Sequence, residues 1–457
     1  MKETAKKQIR DTIEQKDYQA RNSGDDNKGL SKTRKAQMLA ELLVTHDHIR
    51  PVYMDSLKFQ QKFYSYNEQT GRWRPISRKR IKNIVKEIVG SDYTRHFKQE
   101  FLNQLESHEG FLNFEEMGLD KDEILIEDQT VFNLETKETR SVQRQDYALN
   151  KISYHPDQRS EEKEIIPFIK ETFPVEEERK TIQEFLGWML SHPDKRFQKA
   201  LLILGESNTG KSTFIEVVRE LFEHCITSEV SLSQLGHSRR FHIHHLNDSM
   251  LNIEEDMSNA DIQDGSAIKT AIQQQPLFVE KKGKDGYDIQ PRCKFIIASN
   301  IAPSMEQEDM TFYEKFLTVI APNQVPEEEQ DRELPKKLKS KYSLNALFEW
   351  CLEGLERLEN QNSFSINTSS RATRRKWDRF GDSIEQFLYH EATFDSTEKI
   401  PTTDLYDYYV SWCESNEKNV LTQQSFSRKL KNRNDITKIK VDSKRYFKGV
   451  TVDLTSD

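Results

Sequence analysis

The sequence predicts a chain of the α/β class, in which a helix-covered, mostly parallel sheet is flanked by an α+β module before it and a basic helical module after it. Two observations carry this. The apolar runs "LLILG", "MLNIEED" and "CKFIIASN" are separated by helical segments, the order that a parallel sheet with crossover helices produces. In addition, "LLILGESNTGKSTFIEVV", residues 201–218, sets a strand-like run, a glycine-bounded loop and an amphipathic helix in line.

With 457 residues, 35% of them apolar, the chain has material for two or three domains, each with its own core. The expected division is a flexible arm at 1–35, an α+β domain at 36–175, a nucleotide-binding segment at 176–359, a polar linker at 360–371 and a winged-helix domain at 372–457. In the arm, "NSGDDNKGLS" is polar and turn-rich. Met38, Leu39, Leu42 and Leu43 then recur at helical spacing, "KFYSYNEQTGRWRPIS" has a hairpin pattern, and "RKRIKNIVKEIV" returns to helical period. "EILIEDQTVFNLETKETRSV" reads as a strand pair, and "ERKTIQEFLGWMLSH" as the helix before the sheet. After the linker "NQNSFSINTSS" come three helices and two strands, "ITKIKV" and "KGVTVDL", around a turn at "DSKRYF".

Composition narrows the function classes. Charged residues make up 32% of the chain, and no stretch approaches the roughly 18 apolar residues of a membrane span. The first residues lack the apolar centre of a signal peptide, so a cytoplasmic protein without membrane contact is expected. Cys225, Cys293, Cys351 and Cys413 lie far apart and suggest reduced thiols rather than a disulfide framework or zinc knuckle. The net charge of −8 hides a local reversal: between Leu421 and Val450 nine Lys or Arg face two acids, Asp435 and Asp442.

The chemistry starts at "GESNTGKS". Gly205, Gly210, Lys211 and Ser212 satisfy the phosphate-loop spacing, so Gly205, Glu206, Ser207, Asn208, Thr209, Gly210, Lys211, Ser212 and Thr213 form the candidate ATP-binding set. Amide groups of such a loop and the positive end of the following helix hold phosphate oxygens, the lysine reaches the β and γ phosphates, and the serine ligates magnesium. A carboxylate must position that Mg2+ and polarise the attacking water, and "SMLNIEEDM" offers Glu254, Glu255 and Asp256 at a strand end. "PRCKFIIASNIAP" ends a further apolar run in Asn300, whose amide can reach a phosphate or the water. In the basic tail, "QQSFSRKLKNR" turns Arg428, Lys429, Lys431 and Arg433 outward, and "SKRYFK" adds Lys444, Arg445 and Lys448 at a hairpin tip, a pattern suited to duplex DNA.

With these motifs in order, from about residue 120 to the C-terminus, the chain resembles the superfamily 3 helicases, in particular the phage and plasmid primase-helicase family with its poxvirus-like members. The resemblance implies a homo-hexameric AAA+ ring that hydrolyses ATP with Mg2+, translocates on single-stranded DNA and serves the replication of a mobile genetic element. A separate primase or initiator protein is a further candidate partner. Glu255 and Asp256 would be the acidic pair and magnesium ligands, with Glu254 an alternative one register away. Asn300 would be the sensor. "LFVEKKGKDGYDIQP" would be the hairpin projecting into the channel, with Lys281, Lys282 and Lys284 tracking the DNA backbone.

One position departs from the family. "TFYEKFLTVIAP" has Glu314 and Lys315 where relatives carry two arginines. Lysine lacks the planar fork of an arginine finger, so Lys315 substitutes imperfectly, another residue such as Arg332 serves, or hydrolysis is slow. Two other constellations carry less. His237, His242, His244 and His245 lack a cysteine or carboxylate to complete a zinc set, and Asp120 and Asp122 lack the further carboxylates that priming requires. The rival function is a DNA-binding regulatory or initiator ATPase that assembles at an origin without processive unwinding.

Overall fold

The computed structural model describes residues 3–23, 29–46, 48–53, 62–191, 196–236, 243–247, 249–255, 262, 265–281, 284–303, 309–366, 368–380, 383–416, 418, 420–431, 433, 435–442 and 444–452. It is a mixed α/β chain built around a parallel sheet. Among the described residues no helix is long and apolar enough to cross a membrane.

The arm expected at 1–35 is instead a helix over Glu3–Ser23. Its apolar stripe is sparse, but Ala5, Ile9 and Ile13 recur every fourth residue and are buried, and Arg10 donates to the carbonyl of Ile88 at 2.9 Å. This helix joins Lys32–Thr45, Arg78–Val89 and Arg95–Glu106 around Leu39, Leu43, Ile81, Phe97 and Phe101. Ser31, Ser77 and Thr94 cap the last three by accepting from the third amide beyond each. Beside the bundle, Lys62–Asn67 pairs antiparallel with Arg72–Pro75 in the expected hairpin.

"EILIEDQTVFNLETKETRSV" forms three strands rather than two: Glu123–Ile126, Thr130–Asn133 and Thr139–Ser141. Ile124, Ile126, Phe132 and Leu134 pack into the core of the parallel sheet's own layer, so this meander is part of the central body. A second layer comes from helices Glu176–Leu190 and Lys341–Gln361, which cross at glycines. A Cβ on Gly187 would lie 2.4 Å from the carbonyl oxygen of Cys351, and one on Gly354 would lie 2.3 Å from that of Gln183. Only glycine lets the two backbones meet so closely.

The central sheet has five strands in the spatial order Phe316–Ile320, Ala200–Leu204, Lys294–Ser299, Leu251–Glu255, Thr227–Ser228, all parallel. Numbered along the chain, that order is fifth, first, fourth, third, second. Leu201, Ile203, Ile253, Ile296 and Val319 face helices Lys211–Leu221 and Glu176–Leu190, while Leu202, Leu204, Phe295 and Ile297 face helix Gly265–Ile272. Covering both faces explains why "ALLIL" is apolar without alternation.

The residues read as a linker are docked. Glu184, fully buried, accepts from Arg357 at 2.7 Å and from the amide of Ser365 at 2.7 Å, and Phe364 is buried beside Trp188. The boundary set at 372 also falls inside a helix, Ser370–Asp378, that belongs to the sheet's core: Trp377 packs on Phe312 and Phe316 and donates to Thr318 at 2.8 Å. A separate core begins at Ser383, with Phe387, Leu405, Tyr409, Phe426, Leu430 and Phe447 packed among helices Ser383–Glu391, Thr402–Ser415 and Gln423–Lys431. The hairpin here is Thr437–Val441 with Lys444–Lys448, so "KRYFK" is strand and not turn. Gly449, at φ 100° and with a would-be Cβ 2.3 Å from the carbonyl oxygen of Asp435, breaks the chain direction. Of the expected "KGVTVDL" strand, Lys448 ends the hairpin and Thr451–Val452 pairs with Ala392–Thr393, while Asp453 and Leu454 lie outside the described residues.

Candidate nucleotide site and nucleic-acid interface

The phosphate loop leaves the sheet at the C-terminal end of Ala200–Leu204 and enters helix Lys211–Leu221 through Gly210, at φ 86°. Asn208 also lies in the left-handed region, at φ 62°. Gly205 cannot bear a side chain, because a Cβ would stand 2.3 Å from the carbonyl oxygen of Ala321. Thr209 is buried, while Glu206, Ser207 and Asn208 are exposed and Thr213 is half-buried. Lys211, 6% exposed, lies across the loop with its Nζ 2.8 Å from the Gly205 carbonyl oxygen, 2.6 Å from that of Glu206 and 3.2 Å from Thr209 Oγ1. An ammonium so placed, an exposed Ser212 hydroxyl and a helix N-terminus together suit a polyphosphate.

The fourth strand of the sheet contributes directly. Asn300, following Ser299, donates from Nδ2 to Ser207 Oγ at 3.1 Å, so its amide stands against the loop. The segment after the fifth strand closes the other flank: Gln324 Nε2 donates to the Ser207 carbonyl at 3.2 Å and the Val325 amide to Asn208 at 2.9 Å.

The acidic strand end divides across the sheet. Glu254 is buried and accepts the Leu232 amide at 2.8 Å, and burial pushes its carboxyl up to about 7. Glu255 faces the loop helix, where Arg219 holds its Oε1 at 3.0 Å and also reaches Glu229 at 3.0 Å. Asp256 lies outside the described residues. The donor set therefore fits the phosphates. For magnesium it offers Ser212 and an acidic cluster whose two described members hold partners within the chain.

Lys315 sits at the other end of the strands. It precedes Phe316–Ile320, whose Phe316 pairs with Ala200, and is thus some six strand residues, about 20 Å, from its own loop. Burial and the positive charge of Lys269 lower its pKa, while Glu314 raises it. Lys199, next to it, is lowered by burial and by Lys315 itself, and donates to the Glu314 carbonyl.

Between the third and fourth strands of the sheet lies a hairpin, Leu277–Lys281 with Lys284–Ile289, in which Lys281 is opposite Lys284 and Leu277, Val279 and Ile289 join the core. Lys282 lies outside the described residues, as do His237 and His242. His244 and His245 occupy a short 3-10 turn, not a strand, and among the described residues no group of three metal-ligating side chains occurs. The hairpin carries a feature the motif reading missed: Phe278 is 52% exposed, its ring over Gly286, where a Cβ would meet it at 2.2 Å. The alternation in "LFV", with Leu277 and Val279 buried, was the available signal.

In the C-terminal unit Arg428, Lys431, Lys444 and Arg445 are exposed and Lys429 is half-buried. Lys431 and Arg445 both lower the pKa of Lys438, after its burial, so helix and hairpin share one positive face. Arg433 is a correction. It turns inward, paired with Glu385 and, at 2.8 Å, with Asp435.

Comparison with known proteins gives three findings. Residues 203–315 match a family of unknown function, DUF5906, and residues 381–453 match the Poxvirus D5 protein-like family. No curated protein matches the chain. Among solved structures, an A form apo structure of the NrS-1 C-terminal region is 13% identical, covering 90% of this chain and 98% of its own, with a TM-score of 0.45. Two others of that region are each 14% identical over 91% of this chain, covering 99% and 100% of their own, with TM-scores of 0.43 and 0.41.

Proposed function

We propose that the chain is an ATP-driven replicative DNA helicase of a mobile genetic element, a superfamily 3 AAA+ motor that works as a ring on single-stranded DNA. The observation that carries this reading is the phosphate loop with Asn300 hydrogen-bonded to it at the C-terminal edge of the sheet, in a chain that also inserts a hairpin between the strands that bear the acids and Asn300. The sheet order of fifth, first, fourth, third, second supports it, as does the poxvirus-like match of residues 381–453.

In this reading Lys211 neutralises the β and γ phosphates and Asn300 orients the attacking water, while Ser212 would help hold magnesium, which when bound would screen phosphate charge. Glu254, with a carboxyl near neutrality, is suited to accept the water's proton, a role for which a pKa close to the working pH is best. Lys315, far from its own loop, serves only the loop of a neighbouring copy. The hairpin lysines follow phosphates, and Phe278 stacks on bases without reading sequence. The winged-helix arrangement of helix Gln423–Lys431 and its hairpin anchors duplex DNA.

Strand displacement on forked DNA tests this. ATP-dependent unwinding that requires one tail polarity is expected. ATP hydrolysis and duplex binding without displacement would favour the regulatory ATPase, a reading supported by Glu255 being held by Arg219 and by lysine at the finger position.

A further inference from the structure

The helical bundle that precedes the central sheet carries a charge pattern that the nucleotide chemistry does not use. Three of its helices, Lys32–Thr45, Arg78–Val89 and Arg95–Glu106, begin with cations and have no acid in the first turn, whereas Glu162–Thr172 and Glu176–Leu190 beside the sheet begin with glutamates. Positive side chains at a helix N-terminus oppose the helix dipole and weaken the helix. They cost the fold stability, so their use lies outside it.

The pattern is densest on Arg78–Val89. Its Ile81, Ile84, Val85 and Ile88 are buried in the bundle's own core, while Lys79, Arg80 and Lys86 are exposed and Lys82 is half-buried. Spacings of three and four set Lys79, Lys82 and Lys86 in one row along the helix, with Arg80 beside it. Arg78 is taken by Glu106 at 2.9 Å, and Glu87, the helix's one acid, is held by Lys6 at 2.7 Å. Among the described residues Lys79, Arg80, Lys82 and Lys86 form no salt bridge.

On a chain of net charge −8, such a row is a local reversal that draws a polyanion to one place. From Lys79 to Lys86 the helix rises about 10 Å, the advance of about three base steps along a nucleic-acid strand. No large apolar side chain is exposed on this helix, so bases have nothing to stack on. The row offers charge alone, and a duplex presents about twice the phosphate density of a single strand along its axis.

We propose that the outer face of helix Arg78–Val89 binds the phosphate backbone of duplex DNA through Lys79, Arg80, Lys82 and Lys86, as a contact separate from the channel hairpin and from the C-terminal unit. It reads no sequence. This rests on the nucleic-acid part of the proposed function and not on its nucleotide chemistry.

Anisotropy with a duplex, and with one of its strands alone, across a series of salt concentrations and without nucleotide, tests the contact in the full chain. The variant Lys79→Gln/Arg80→Gln/Lys82→Gln/Lys86→Gln should bind duplex about tenfold or more weakly at low salt, with a salt slope shallower by about three to four, and should lose less than about threefold on the single strand. Lys79→Gln/Arg80→Gln alone should reduce the slope by about two without lowering Tm, because both cations oppose the helix dipole. A lower Tm would make the row structural and overturn the assignment, as would an unchanged duplex affinity and slope, or equal losses on duplex and single strand. These results leave hydrolysis and strand displacement by the unaltered chain as separate tests of the motor. Failure of the unaltered chain to bind duplex would overturn this contact and the proposed C-terminal anchor together.

Discussion

The two edges of the central sheet are built to opposite ends. At the C-terminal edge the loop, Asn300, the segment after Ile320 and a cleft lined by Glu206 and Arg379 converge within one chain. At the N-terminal edge Lys199, Lys315 and Glu314 form a charged group some 20 Å from the loop. In the proposed motor the first edge binds nucleotide, and the second becomes useful only when set against another copy. In the proposed ring, stacking one edge on the next would place both kinds of group at each site.

The largest expected effect strikes the binding edge. Lys211→Ala should lower hydrolysis by more than about a hundredfold, measured as phosphate release, since it removes the buried ammonium that spans the loop. Glu254→Gln comes next, with a loss of roughly tenfold or more if this carboxylate takes the proton, and the unaltered chain's rate should rise with pH through about 7. Stability moves the other way. A folded pKa raised from 4.5 means the carboxyl's contribution is complete below about 4.5 and is lost as pH rises to about 7. Glu254→Gln should therefore raise Tm relative to the unaltered chain at pH 8 and lose that advantage near pH 4.5. A rate profile flat through neutrality would remove Glu254 from the chemistry.

Phe278→Ala should cost about tenfold in affinity for single-stranded DNA, read by anisotropy, as loss of one stacked ring does. Arg428→Ala or Arg445→Ala should weaken duplex binding a few-fold and reduce the salt slope by about one each. The smallest change belongs to the second edge: Lys315→Arg should raise hydrolysis several-fold, and only at concentrations where copies assemble. An effect independent of protein concentration would break the contrast between the edges.

Much of this was legible in residue order. The loop could be read because its glycines and lysine are set by phosphate geometry, and Asn300 because an apolar run ends in an amide before a turn. The sheet order could not, since apolar strands do not name their neighbours. Arg379 was hidden because it lines the cleft beside Glu206 from the end of a helix far along the chain, placed there by Trp377. The N-terminal helix was missed because three buried residues in an otherwise polar stretch suffice once other helices cover them. The inward Arg433 follows from Glu385, a partner that helical spacing cannot show.

Hydrolysis of ATP by the full chain, with and without single-stranded DNA at fixed salt, tests the central claim most directly. Stimulation by single-stranded DNA, absent in Lys211→Ala, is the expected result. A rate unchanged by DNA would contradict the account of a loop that drives movement along a strand.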